Sequence, residues 1–121
     1  MTGPDQAFLT QREADTLVIV PQGNTHDFRY DKLHHEYNEL HRVLGGPDIK
    51  NMVVDLGDVQ FLGSIMIGVI IRLSKTVGNN DGRIVICNAS DQMTEILKVQ
   101  NLLELWPQFP SRESALGSLT A

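Results

Sequence analysis

Ser64 is the one hydroxyl in the stretch DLGDVQFLGSIMIGVII, residues 55–71. It stands where a strand and a loop give way to a very apolar helix, and a serine there has two uses. Its oxygen can cap the helix by accepting an early backbone N–H, a bond worth roughly 1 kcal/mol. Alternatively it can carry a phosphate, which the unpaired N–H groups and dipole of a helix N-terminus tolerate. That phosphate would bring close to two negative charges beside an apolar patch and repel an interface pressed against it. Two carboxylates lie just upstream. Asp58 reads as a solvated turn residue, with a supporting role beside Ser64 as the alternative. Asp55, at a strand end, reads as a cap for the following loop, with a place on the same face as Ser64 as the alternative.

The other reactive side chains point to no chemistry. His26, His34, His35 and His41 include no pair at the i, i+3 or i+4 spacing that a helical metal site uses. They read as a solvated helix face, so no metal ligand is expected. No dinucleotide fingerprint, P-loop lysine or nucleophile elbow occurs. FLGSIMIG places glycine beside serine without the elbow's flanking pattern. Cys87 is the single cysteine, in the apolar run RIVIC, and reads as a small buried side chain. No catalytic residue and no cofactor are predicted.

Around these residues the chain alternates short β-branched runs with helical periodicity. TLVIVPQG reads as a strand, with AFLTQREAD as its hairpin partner. Leu33, Tyr37, Leu40 and Leu44 recur at helical spacing within 28–44, and Gly45-Gly46-Pro47 ends that helix. NMVVDL and RIVIC are buried strands. A helix over 64–77 lies between them, stopped at Gly78 and the turn-rich GNNDG. Ser90 caps a helix reaching Lys98, with Asn101 in the left-handed conformation after it. WPQF is a short extended piece, and Ser111 caps a last helix to Leu119. The order β-β-α-β-α-β-α-β-α predicts an α/β fold with a mixed sheet of four to five strands and about four helices. On the second helix Met66, Val69, Ile70, Leu73 and Val77 share the sheet-facing side. Ile65, Ile67 and Ile71 widen that stripe beyond what a surface helix needs. Either the helix is covered deeply, or its first turn, Ile65 to Gly68, belongs to an exposed contact patch.

The chain has 121 residues with 41% hydrophobic and 21% charged side chains, which suits one domain over 1–121. Its net charge of −5 argues against nucleic acid and anionic membrane surfaces as partners. One cysteine fits a reducing compartment. The first residues show no signal-peptide pattern, and the most apolar run, 61–71, is too short to span a bilayer. A cytoplasmic protein without direct membrane insertion is expected.

VVDLGDVQFLGSIMIGVI resembles the central segment of the STAS domain, and within that family the bacterial anti-sigma factor antagonists. Val53, Val54, Asp55, Leu56, Val59, Phe61, Ser64, Gly68 and Val69 fit the pattern. ILKVQNLLELWPQFPSRESAL is similar to the family ending at Ile96, Leu97, Leu102, Leu105, Pro107, Ala115 and Leu116. The resemblance implies a STAS-like fold and a regulatory binding protein that is not an enzyme. It puts Ser64 at the phosphoacceptor position. The implied partner is an anti-sigma factor that is also a serine kinase of the histidine-kinase-like ATPase fold; it binds the unphosphorylated antagonist and releases the phosphorylated one. Asp58, Gly63, Ser64, Ile65, Met66 and Gly68 then form the expected partner face. Gly63 replaces the family's acidic residue before the acceptor, and Ile65 with Met66 replace small residues after it. A non-switching STAS scaffold subunit of a sensory or lipid-transport complex is the alternative that these departures suit. A small-ligand STAS sensor would need an enclosed pocket.

Overall fold

Glu13 and Thr16 face each other across a two-residue turn that joins β1 (Phe8–Glu13) to β2 (Thr16–Pro21) as an antiparallel hairpin. Ala14 makes that turn at φ 55°, in the left-handed region. The computed structural model describes residues 7–22 and 30–120. His26 and the expected first residues of the helix, Phe28 and Arg29, lie outside them.

From β2 onward every strand is parallel to its neighbour. Helix α1 (Tyr30–Leu44) leads to β3 (Asn51–Asp55), and α2 (Ser64–Asn79) to β4 (Ile84–Cys87). Helix α3 (Asp91–Val99) then leads to the two-residue β5 (Gln108–Phe109), and α4 (Arg112–Thr120) follows. The sheet order is β1-β2-β3-β4-β5, the same as the chain order. Successive parallel strands joined by crossovers of one hand place their helices on one side. Leu33, Leu40 and Leu44 of α1, Leu73 and Val77 of α2, and Met93 and Leu97 of α3 accordingly share one core with Leu17, Ile19, Met52, Val54 and Ile86 of the sheet. The strand residues between these, Val18, Val20, Val53, Val85 and Cys87, face the other way and pack under α4 with Ala115. The period of two in the strands thus feeds two cores of unequal size.

The expected element order and type hold throughout, and α3 and α4 are capped by the serines expected to cap them. The Ser90 hydroxyl accepts the Met93 N–H at 3.0 Å, and that of Ser111 accepts the Ser114 N–H at 3.1 Å. Asn101 sits at φ 60° while the Leu102 N–H reaches back to the Leu97 carbonyl, closing α3. The end of α2 differs from the expected one. Helix α2 runs through Gly78 to Asn79, and Asp81, at φ 61°, takes the left-handed turn instead of a glycine.

Candidate functional site: the loop after β3 and the first turn of α2

Residues 56–63 leave the carboxyl end of β3 with a strict three-residue rhythm. Leu56, Val59 and Leu62 are buried, while Gly57, Asp58, Gln60, Phe61 and Gly63 are exposed. The three apolar anchors pin the loop onto the larger core and force Phe61 outward, leaving its side chain 58% exposed. Polar ties hold the outward residues. The Gln22 side-chain amide donates to the Asp58 carboxylate at 3.2 Å. The Ser90 hydroxyl donates to the Gln60 carbonyl at 2.7 Å, so the cap of α3 also clamps this loop.

The loop ends at Gly63, whose extended backbone (φ −73°, ψ 168°) makes it the N-cap of α2. This corrects the expectation that Ser64 caps the helix. Ser64 is the first helical residue; the first intrahelical bond runs from the Ile67 N–H to the Gly63 carbonyl at 3.0 Å. No side chain caps α2, and the exposed Ser64 hydroxyl bonds to no described residue. The N–H groups of Ser64, Ile65 and Met66 precede the helical ladder, and no acidic residue occupies the first turn. Positive potential therefore gathers at the end where Ser64 stands.

The residues that follow divide by direction. Ile65 is 48% exposed, and Gly68, one turn beyond Ser64, is half-buried. A β-carbon added at Gly63 or Gly68 would meet nothing within 4 Å, so the backbone on both sides of Ser64 is open. Met66 is only 3% exposed and lies in the larger core, so it does not share that face, contrary to the expected partner contact. The wide apolar stripe of α2 is explained mostly by depth: Met66, Ile67, Val69, Ile70, Leu73 and Val77 are all covered, with α1 packed alongside. What remains outside is Phe61 and Ile65 around an open serine. Phe61 was not among the expected partner-face residues; the signal that could have found it is the three-residue spacing of Leu56, Val59 and Leu62 before it and after it.

Asp55 belongs to the other face of the sheet. It is 5% exposed and accepts three hydrogen bonds: Gly57 N–H at 2.9 Å, Asn88 Nδ2 at 3.0 Å and Arg112 Nε at 2.9 Å. Burial pushes its carboxyl up, but the bonds from Asn88, Gly57 and Arg112 and the nearby guanidinium outweigh it and hold the group below the ordinary carboxylate value. Its role is the structural one, ending β3 and starting the loop. Cys87, paired with Asp55 across the strands, is buried; burial first and the Asp55 charge second push its thiol up to about 12. His34, His35 and His41 are exposed on α1, and no cluster of three metal-binding side chains occurs among the described residues.

Residues 10–115 match the family model of the STAS domain, and the chain belongs to that family. It is 26% identical over 69 residues to BtrV of Bordetella bronchiseptica, named as a candidate anti-sigma factor antagonist; the match covers 57% of this chain and spans 60% of that relative's length. The fold superposes on an anti-sigma-factor antagonist (STAS) domain protein from Planctomyces limnophilus with a TM-score of 0.79 at 23% identity, covering 94% of this chain and 98% of that one. It also superposes on the anti-sigma factor antagonist SpoIIAA. In the unphosphorylated form the TM-score is 0.78 at 14% identity, over 94% of this chain and 96% of that one. In the phosphorylated form, from Bacillus, it is 0.70 at 15% identity, over 93% and 98%. No helix among the described residues is long and apolar enough to cross a membrane.

Proposed function

We propose that this chain, read as one STAS module over 1–121, is a regulatory binding protein of the anti-sigma-factor-antagonist type. It acts in the cytoplasm and is not an enzyme. Its partner is an anti-sigma factor that is also a serine kinase of the histidine-kinase-like ATPase fold. The partner face is the loop Asp58–Gly63 with Ser64, Ile65 and Gly68, to which Phe61 adds the largest apolar surface. Ser64 is the phosphoacceptor.

The observation that carries this reading is the state of the Ser64 hydroxyl. It is exposed, unengaged in capping and backed by free N–H groups, with exposed apolar residues at Phe61, three residues before it, and Ile65, the next residue. A phosphate there stays compatible with the fold, because the helix end favours it. An apolar contact over Phe61 and Ile65 does not survive it, because two charges must be buried or hydrated at the rim. Ser64→Ala should keep partner binding, whereas Ser64→Asp should weaken it by about tenfold or more, roughly 1.4 kcal/mol. Titration calorimetry against the co-purifying kinase reads both, and mass spectrometry after incubation with that kinase and ATP reads the modification. Equal affinities for the two variants, or an unmodified Ser64 beside a competent kinase, would remove the switch.

Gly63 and the exposed Ile65 favour one second reading, a non-switching STAS scaffold in a sensory or lipid-transport complex. Without the acidic residue before Ser64, and with an apolar side chain after it, a constitutive contact needs no phosphate chemistry. Affinity purification separates the two: a sigma-regulatory ATPase on one side, a stable multiprotein or transporter complex on the other.

A further inference from the structure

Helix α4 covers the smaller core with little of its own surface. Ala115 is its only fully buried residue, and Leu116 and Leu119 are half-buried against the sheet. Yet Val18, Val20, Val53, Val85 and Cys87 beneath it are all buried. A nine-residue helix has marginal stability by itself, and a polar tie adds to the apolar hold that Ala115, Leu116 and Leu119 give it on the sheet. That tie is Arg112, in the first turn: its Nε donates to Asp55 at 2.9 Å and its Nη1 to Gln11 at 2.9 Å. The same Asp55 carboxylate accepts the Gly57 N–H, where the loop carrying Asp58 to Gly63 begins.

We infer that α4 is a strap that opens as a unit while the rest of the fold persists, and that the Arg112–Asp55 clasp couples its opening to the loosening of the loop that starts at Gly57. Segments with few buried apolar contacts open at lower free energy than the global transition. In the closed state Asp55 has its three partners. In the open state it loses the guanidinium and gains water, so its hold on Gly57 N–H meets solvent competition. This coupling holds whichever partner the loop meets.

Cys87 provides the readout, because its thiol is buried and protonated while the strap is closed and regains ordinary reactivity when it lifts. The full-length chain is treated with an aromatic disulfide reagent at neutral pH, alongside amide hydrogen exchange. In the wild type, Cys87 modification and exchange of the α4 amides should share one opening free energy, below that of the β3 amides and with a weaker denaturant dependence. Arg112→Gln should speed both by about tenfold or more, and speed exchange at Gly57, while the α2 and β3 interior keeps wild-type rates. Arg112→Lys, which retains the charge, should lie between. If Cys87 and the α4 amides react in the wild type only through global unfolding, there is no strap; that measurement stands even where Arg112→Gln fails to fold. If α4 opens faster in Arg112→Gln but Gly57 exchange is unchanged, the coupling is overturned.

Discussion

Ser64 and Ile65 are adjacent and both exposed, but for different reasons. Ser64 lies outside because Gly63 takes the capping position, leaving the serine no backbone to serve. Ile65 lies outside because the core-facing arc of α2 begins at Met66. An exposed isoleucine on a helix that buries most of its apolar residues contributes little to folding, and the proposed partner face would give it a use. The same holds for Phe61. Ile65→Ala and Phe61→Ala should each leave unfolding free energy within about 0.5 kcal/mol of wild type, as exposed positions do. Each should also lower affinity for the captured partner by about tenfold or more, as central apolar anchors do. Met66→Ala is the contrast: truncating a covered side chain should cost about 2–5 kcal/mol of stability. Urea denaturation and calorimetry together read the pattern, and unchanged affinity in both surface variants would put the contact face elsewhere on the molecule. The helical repeat put Met66 on the sheet-facing side and Ile65 at the edge of the stripe; the partner contact expected of Met66 came from the family resemblance, and the burial of Met66 overrides it. The division depends on how far α1 and the loop reach over the first turn.

At the scale of elements, the sequence showed the caps but not what they hold. Ser90 before Asp91 is recognisable as an N-cap, and it is one; its second bond, to the Gln60 carbonyl, spans thirty residues and leaves no local mark. Ser90→Ala should therefore cost more than the cap alone, about 1–2 kcal/mol. It should also raise amide exchange between Gly57 and Phe61 while the centre of the sheet stays protected. A loss confined to α3 would mean that the loop is held by its buried anchors and not by the hydroxyl. Gly82 teaches a related lesson. In GNNDG it reads as a turn glycine, chosen for backbone freedom, yet no described glycine takes a positive φ. Its constraint is proximity: a β-carbon there would strike the Lys50 carbonyl and crowd Val77. Gly82→Ala should cost about 1–3 kcal/mol through displacement of the β3 approach, read as a fall in the urea midpoint. A neutral result would show that the Lys50 backbone yields freely.

The described residues form a sheet in chain order with three helices on one side and one on the other. The alternation of strands and helices was legible in β-branched runs and helical spacing. The side taken by α4 was not, because only Ala115, Leu116 and Leu119 mark its contact and Arg112 reads as an ordinary surface cation. It is Arg112 that meets the buried Asp55 and joins the two halves of the fold, with a consequence for acid stability. Asp55 in the folded chain holds its proton less tightly than an ordinary carboxyl of value 3.8. A depressed folded value means that the contribution is complete above the unfolded value, near pH 4, and is lost as pH falls through the folded one. Asp55→Asn keeps the size of the side chain but cannot carry the charge. At pH 7 it should be less stable than wild type by about 2 kcal/mol, the scale of hydrogen bonds to a charged group. Below pH 4 the gap should narrow, and it should close as pH falls through the depressed folded value, where the wild-type carboxyl becomes neutral as well. Urea unfolding of both proteins at pH 7, 4 and 3 measures the gap directly. A difference that stays constant across that range would mean that shape and not charge secures the Arg112 contact, and the clasp would then be insensitive to acid.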